Sequence, residues 1–193
     1  MADVWLVPLQ AIWLMLPAYV ANMTPVATGG GTPIDFGRTF RGTPLFGPGK
    51  TWRGLAAGIA AGVATAALLN VAAPATGGAL PGFGAGPAYL FTGLALASGA
   101  LVGDLVKSFF KRRAGRPRGS SWFPFDQLDF VAGALLFSFL VSHWAVASGH
   151  ATRNWFFESF TLPVLAVVVV LSPLLHVGAN RFGYYLGKKE VPW

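Results

Sequence analysis

The chain has 193 residues, of which 54% are hydrophobic and 11% charged, and its mean hydropathy is +0.57, whereas soluble domains carry roughly 25% charge. This composition excludes an ordinary soluble globule. At about 20 residues per helical span, the length allows several membrane helices with short loops and no sizeable separate domain, so one membrane domain over residues 1–193 is expected. Fourteen basic against seven acidic residues give a pI near 10.3. In a membrane protein the positive-inside bias accounts for that excess, with no nucleic-acid partner implied and no protein partner either. The absence of Cys excludes disulfides, thiolate metal sites and a Cys nucleophile.

Asp, Glu, Lys and Arg are missing from residues 4–34, 54–103, 130–152 and 159–180. The first gap predicts a span over about residues 4–21, ended by the run TPVATGGGTP (residues 24–33), which is too rich in turn residues to continue a helix. The second gap is too long for one span, and its Gly- and Pro-rich middle divides it into helices over about 55–73 and 88–110. The third and fourth predict spans over about 127–149 and 159–180. The expected fold is therefore all-α and polytopic, with five transmembrane helices and two functional cytoplasmic loops.

Arg38, Arg41, Lys50 and Arg53 follow the first span, and Lys107, Lys111, Arg112, Arg113, Arg116 and Arg118 follow the third. The hairpin after the second span is uncharged, the loop after the fourth has only Arg153 as a base, and the tail carries Arg181, Lys188 and Lys189. This asymmetry puts the N-terminus outside and the C-terminus inside. A cleaved signal peptide is the rival for the first segment, but Asp3 stands where a basic region belongs and Pro8 and Pro17 interrupt the apolar core. The second and third spans are rich in Ala and Gly, which suits close helix packing. The chain has no solenoid-type or inverted repeat, which weakens a transporter reading.

Positive-inside bias explains the bases but not the acids, and four of the seven acids, Asp35, Asp104, Asp126 and Asp129, lie in or beside the two basic loops. Carboxylates mixed with bases suit a nucleotide phosphate site, as ligands for a hard cation and as counter-charge; a salt-bridged loop pair is the alternative. The segment GPGKT (residues 47–51) resembles a P-loop, but Pro44 replaces the required Gly and no buried strand precedes it. What survives is close backbone approach at Gly47 and Gly49, a point charge at Lys50 and an anion-favouring helix N-terminus. Asp104, Lys107, Ser108 and Lys111 follow i, i+3, i+4, i+7 spacing and share one helical face, either as a polar site or as an Asp104–Lys107 pair. Asp126 and Asp129, three residues apart at the opening of the fourth span, can converge on one Mg2+ or serve the helix dipole.

In this order, GDL (residues 103–105), SFFKRR (108–113) and DQLD (126–129) resemble the cytidylyltransferase signature, and FGRTFRGTPLFGPGKTWRG (36–54) resembles its second hallmark. The short five-span form, with PAYVANMTPV (17–26) and GPGKTWRG, is similar to the archaeal CDP-archaeol synthases rather than to the longer phosphatidate cytidylyltransferases. Two features depart from the phosphatidate enzymes: Pro117 and Arg118 stand where those carry Lys-Asp, and SSWFPF (120–125) replaces their His-Gly-Gly. No catalytic role is therefore carried over to His143, His150 or His176.

The resemblance implies a reaction of CTP with an unsaturated isoprenoid ether lipid phosphate, 2,3-bis-O-geranylgeranyl-sn-glycerol 1-phosphate, in the membrane. It implies Mg2+ held by Asp126 and Asp129 with Asp104. Lys50, Arg53, Lys107, Lys111 and Arg112 are expected on the pyrophosphate and lipid phosphate, with Gly47, Gly49, Thr51 and Ser108 beside the nucleotide. Asn22 and the backbone of residues 24–31 are candidates for the cytosine, and the isoprenoid chains are expected between helices. An ester-lipid cytidylyltransferase, a transporter of a phosphorylated solute and a non-catalytic anchor on anionic lipid are the alternatives. A transporter would want ionisable groups deep in its spans, and an anchor does not explain Asp126 and Asp129.

Overall fold

The computed structural model describes residues 4–116 and 120–187; Asp3, Pro117, Arg118, Lys188 and Lys189 lie outside the described residues. Its long helices are α1 (Val7–Thr28), α2 (Trp52–Ala72), α3 (Ala88–Arg113), α4 (Phe125–Ala147) and α6 (Leu162–Tyr185), with a short α5 (Trp155–Ser159) before the last. Four of them, α2 with the 3-10 turn Ala73–Thr76 that follows it, α3, α4 and α6, are long and apolar enough to cross a bilayer. The remaining long helix, α1, has 22 residues, and Gln10, Asn22 and three prolines dilute its hydropathy. It packs against α2, α3, α4 and α6, burying Leu14, Met15 and Ala18 among them.

Several boundaries differ from the sequence reading. Its first span ends near residue 21, whereas α1 continues to Thr28 through Pro25. Proline removes one backbone donor, but local and tertiary partners compensate. Thr24 donates its hydroxyl to the Val20 carbonyl at 2.7 Å and Thr28 to that of Thr24 at 2.9 Å. The Ala21 carbonyl, which Pro25 leaves without its donor, is closely covered by α2, where a Cβ on Gly58 would lie 2.7 Å away. The second helix starts at Trp52, capped by the Thr51 hydroxyl, which accepts from Gly54 N at 3.2 Å. The third runs on to Arg113, the fourth spans Phe125–Ala147, and the last starts at Leu162 and runs past residue 180 to Tyr185. The all-α expectation also missed a small antiparallel hairpin of β1 (Thr39–Phe40) and β2 (Thr43–Pro44), pairing Thr39 with Pro44 and Phe40 with Thr43.

Small residues bring the helices together along two seams, as the Ala- and Gly-rich spans predict. On α2, Gly54, Gly58 and Gly62 recur every fourth residue and meet Pro17, Ala21 and Pro25 of α1, and Ala66, four residues on, meets Gly93 of α3; a Cβ at Gly62 would lie 2.8 Å from the Pro17 carbonyl oxygen. On α3, Gly99 and Gly103 meet α4 so closely that a Cβ would lie 2.4 Å from the Gly133 oxygen and 2.2 Å from the Asp129 oxygen, respectively. At one end of the bundle, side chains of α1 and α5 fasten the Gly- and Pro-rich segment: Gln10 donates to Ala79 O, Trp13 to Pro81 O and Trp155 to Gly82 O. At the other end lie the C-termini of α1, α3 and α6 and the N-termini of α2 and α4, around one cavity.

Candidate active site

The polar face of α3 meets the first turns of α4 across the closer glycine seam. Lys107 is the centre of the cluster: its Nζ lies 3.1 Å from Asp104 Oδ1, 3.2 Å from Asp126 Oδ1 and 3.1 Å from Asp129 Oδ2. Lys111 donates to both Asp126 oxygens, at 2.8 and 2.7 Å, and Lys50 reaches Asp104 from the loop before α2. Three carboxylates and three ammonium groups thus neutralise one another at the edge of the apolar bundle. Removing a member leaves a poorly hydrated charge without its partner, so the groups are mutually dependent. Two carboxylates exceed what a helix start requires, and neither caps α4 by a side-chain bond at its N-cap residue.

The glycine-rich loop is held in shape by Asp35, an acid whose position the sequence reading noted without giving it a task. Its carboxylate accepts from Gly37 N at 3.0 Å, Phe46 N at 2.9 Å and Gly47 N at 3.0 Å. Burial opposes its charge, but these backbone donors outweigh burial and hold the carboxyl below the usual carboxylate range. Ile34 N donates to Lys50 O and Trp52 N to Thr32 O, closing the loop on itself. Gly47 adopts φ +96°, a conformation that strains other residues, and Arg112 packs against it. The hairpin is fastened separately: the Arg113 guanidinium lies 3.4 Å from the Phe109 ring centroid and 5.2 Å from that of Phe40, joining β1 to α3.

Together these elements enclose a cavity of about 650 Å³, within the range for small-molecule sites. Of the residues singled out from sequence, Asn22, Gly47, Gly49, Lys50, Thr51, Asp104, Lys107, Ser108, Lys111, Arg112 and Asp126 line it. Asp129 lies behind Lys107, its side chain only 5% exposed. Arg53 is placed elsewhere: it donates to the Thr28 and Gly29 carbonyls at the end of α1. The lining also includes two polar residues of α6, His176, to which the sequence reading carried over no catalytic role, and Asn180, which it did not single out. Their i, i+4 spacing was visible in the sequence, but nothing local says that this face meets the cavity rather than lipid.

Among the described residues no three His, Asp or Glu side chains form a ready-made cation cage, because Lys107 stands where the carboxylates converge. The donor set nevertheless suits a hard divalent cation that takes one or two protein carboxylates and fills its shell with water and phosphate oxygens. Asp129 is the best indication: both its oxygens are buried with no hydrogen bond of good geometry, and Oδ2 is ion-paired to Lys107.

The family model described as CarS-like CDP-archaeol synthase matches residues 4–193. The chain belongs to the CDP-archaeol synthase family. It is 49% identical over 187 residues to the CDP-archaeol synthase of Halobacterium salinarum, covering 95% of each chain. With that of Methanoculleus marisnigri it shares 45% over 181 residues, covering 93% of this chain and 100% of the other. It also resembles a solved structure of an intramembrane enzyme for archaeal membrane lipids biosynthesis, with a TM-score of 0.67 at 39% identity over 89% of this chain and 93% of that one. The match to the CDP-archaeol synthase family spans the whole of the described bundle, including the residues of the α3–α4 seam and the glycine-rich loop.

Proposed function

We propose that CTP and 2,3-bis-O-geranylgeranyl-sn-glycerol 1-phosphate meet in this cavity, giving the CDP-activated ether lipid and pyrophosphate. By its family the chain is a CTP-dependent cytidylyltransferase of archaeal lipid biosynthesis. The observation that carries the reading is the convergence of Lys50, Lys107 and Lys111 with Asp104 and Asp126 on one cavity beside a glycine-rich loop, with Asp129 ion-paired behind Lys107. A lipid phosphate is already an anionic nucleophile, so its attack on the α-phosphorus of CTP needs little proton transfer. A bond forms from the lipid phosphate oxygen to that phosphorus, and the bond to the β-phosphate bridging oxygen breaks. The residues must position two anions and stabilise the leaving pyrophosphate.

Lys50, Lys111 and Arg112 line the cavity as cations for phosphate oxygens, and the aspartates hold the lysines in place until substrate arrives. Mg2+ held by Asp126 and Asp129 with Asp104 would supply further positive charge to the triphosphate. Gly47 and Gly49 offer backbone beside Thr51, while Asn22 and the end of α1 are suited to the cytosine. The reading includes a single domain of five spans, with α1 as the fifth, the N-terminus outside and the cavity facing the cytoplasm. The basic excess near the cavity end, with Arg153 as the base between α4 and α6, supports that orientation.

Purified enzyme given each nucleoside triphosphate with ether or ester lipid phosphate tests the reaction. The expected result is Mg2+-dependent pyrophosphate release with CTP and the unsaturated ether lipid; preference for the ester lipid would move the assignment to phosphatidate chemistry. Release that needs no lipid acceptor would overturn the reading. For orientation, single Cys residues placed at Arg41 and Arg116 of this Cys-free chain should react from the cytoplasmic side only.

A further inference from the structure

Helix α6 is the most apolar candidate span, with mean hydropathy 2.2, and most of its surface faces outward. It packs on α1 and α4. Yet it sets two polar side chains, His176 and Asn180, one turn apart on the cavity wall. A nucleotide is delivered from water. An amphiphile whose chains stay in the bilayer must come in from the side.

The seam between α1 and α6 has a defined floor. Tyr19 Oη and Ser172 Oγ share a hydrogen bond of 2.7 Å, one turn before His176. Beyond this bond, α1 presents Asn22, Pro25 and Val26 to the cavity, opposite His176 and Asn180. The His176 ring stacks on Phe130, with centroids 5.8 Å apart and 26° between planes, and Phe130 follows Asp129 directly in α4. Pro173 lies inside α6 between Ser172 and His176, so the backbone bond that would tie this turn to the preceding one is missing.

From these placements we infer that His176 and Asn180 bind the glycerol phosphate headgroup of the lipid substrate and that the α1–α6 seam above Tyr19 and Ser172 admits its isoprenoid chains. Imidazole and carboxamide offer donors and acceptors that match the ether and phosphate oxygens. Stacking on Phe130 orients the imidazole beside the aspartate–lysine cluster, which puts the bound phosphate next to the residues that hold the nucleotide. The assignment rests on the proposed reaction, in which a lipid phosphate is the acceptor.

The test is the kinetics of His176→Phe and Asn180→Ala with CTP and ether lipid phosphate varied separately. Phenylalanine keeps the stack on Phe130 and removes the ring nitrogens, so loss of packing is not the cause of its effect. Each variant is expected to raise KM for the lipid phosphate about tenfold, as losing a hydrogen bond to a charged group does, with KM for CTP within twofold of the wild type. Thermal stabilisation of the detergent-solubilised protein by a dialkylglycerol phosphate should shrink in parallel, while that by CTP is retained. Unchanged lipid KM in folded variants, or an equal rise in KM for CTP, overturns the assignment. A wild-type enzyme that releases no pyrophosphate with this substrate pair would instead overturn the proposed reaction.

Discussion

Two glycine seams hold the bundle, α1 against α2 and α3 against α4, and both bring backbone to within a distance at which a Cβ would clash. The α1–α2 seam runs between Ala, Pro and Gly surfaces and ends in the Thr51 cap. The α3–α4 seam ends in Asp104, Lys107, Asp126 and Asp129. The same packing device makes scaffold in one place and aligns charges in the other. What distinguishes them is the chemistry of the residues one turn beyond the last glycine, not the glycines themselves.

The sharpest separation of the two comes from the carboxylates. Asp126→Asn and Asp129→Asn should each lower turnover by 10³-fold or more, at the upper end of the effect of deleting one charge-stabilising group, while the protein still folds in detergent. An amide keeps the shape of the side chain but cannot supply the charge that Lys107 and a hard cation require. Turnover and Mg2+ dependence both unchanged would return these residues to a helix-dipole role. Asp104→Asn is expected to cost less, and loss of folding there would mark the Asp104–Lys107 pair as structural.

Glycine substitutions then test the seams directly. A Cβ at Gly103 would lie 2.2 Å from the Asp129 oxygen, and one at Gly62 would lie 2.6 Å from the Ala97 Cβ and 2.8 Å from the Pro17 oxygen. Both Gly103→Ala and Gly62→Ala should destabilise by about 1–3 kcal/mol through overpacking. Only Gly103→Ala should also lower kcat of the folded protein, by about 10²-fold, because it shifts Asp129 relative to α3. Equal kcat losses in both variants, normalised to folded protein, would erase the distinction between scaffold and site.

These contrasts show what the sequence could carry. The charge-free gaps locate the hydrophobic helices, because length and hydropathy are local properties. The face bearing Asp104, Lys107, Ser108 and Lys111 was readable because helical periodicity brings these positions together, and the Asp126, Asp129 spacing because one turn does. The end of α1 was not readable, since Pro25 is tolerated through contacts with α2 that no local pattern contains. Arg53, Arg113 and Asp35 were seen as charges, but the Thr28 carbonyl, the Leu45 carbonyl and the Gly47 N–H that they engage lie 25, 68 and 12 residues away in the chain. His176 and Asn180 show the same limit, because their spacing was visible and the packing that turns them inward was not.

A smaller effect separates phosphate contacts from the surface field. Lys50→Ala and Lys111→Ala should each cost about 2–4 kcal/mol in kcat/KM, the usual range for one preorganised charge-stabilising donor. Arg116 is exposed and donates to the Ser121 carbonyl at 2.9 Å. Its replacement by Ala should cost about 1 kcal/mol or less, and the loss should fade as salt shortens the Debye length. Equal, salt-sensitive losses at all three positions would mean that these bases act as a diffuse field.

A change in stability, not in turnover, is expected at the loop that presents Lys50. Asp35 accepts three backbone N–H bonds and is held below the usual carboxylate range, with burial opposing and the backbone donors prevailing. A carboxyl depressed on folding contributes stability that is fully present above its unfolded value, about 3.9, and is lost as pH falls through the folded value. Asp35→Asn replaces a charged acceptor with an amide whose nitrogen opposes a backbone donor. It should lower stability at neutral pH by about 1.5–3 kcal/mol, the range for hydrogen bonds to a charged group. Melting curves of wild type and Asp35→Asn should therefore differ by a constant amount near pH 7 and draw together below about pH 4. If the gap between them stays unchanged down to acid-induced unfolding, the Asp35 charge is not what holds the glycine-rich loop, and its shape must come from the Ile34–Lys50 and Trp52–Thr32 backbone bonds alone.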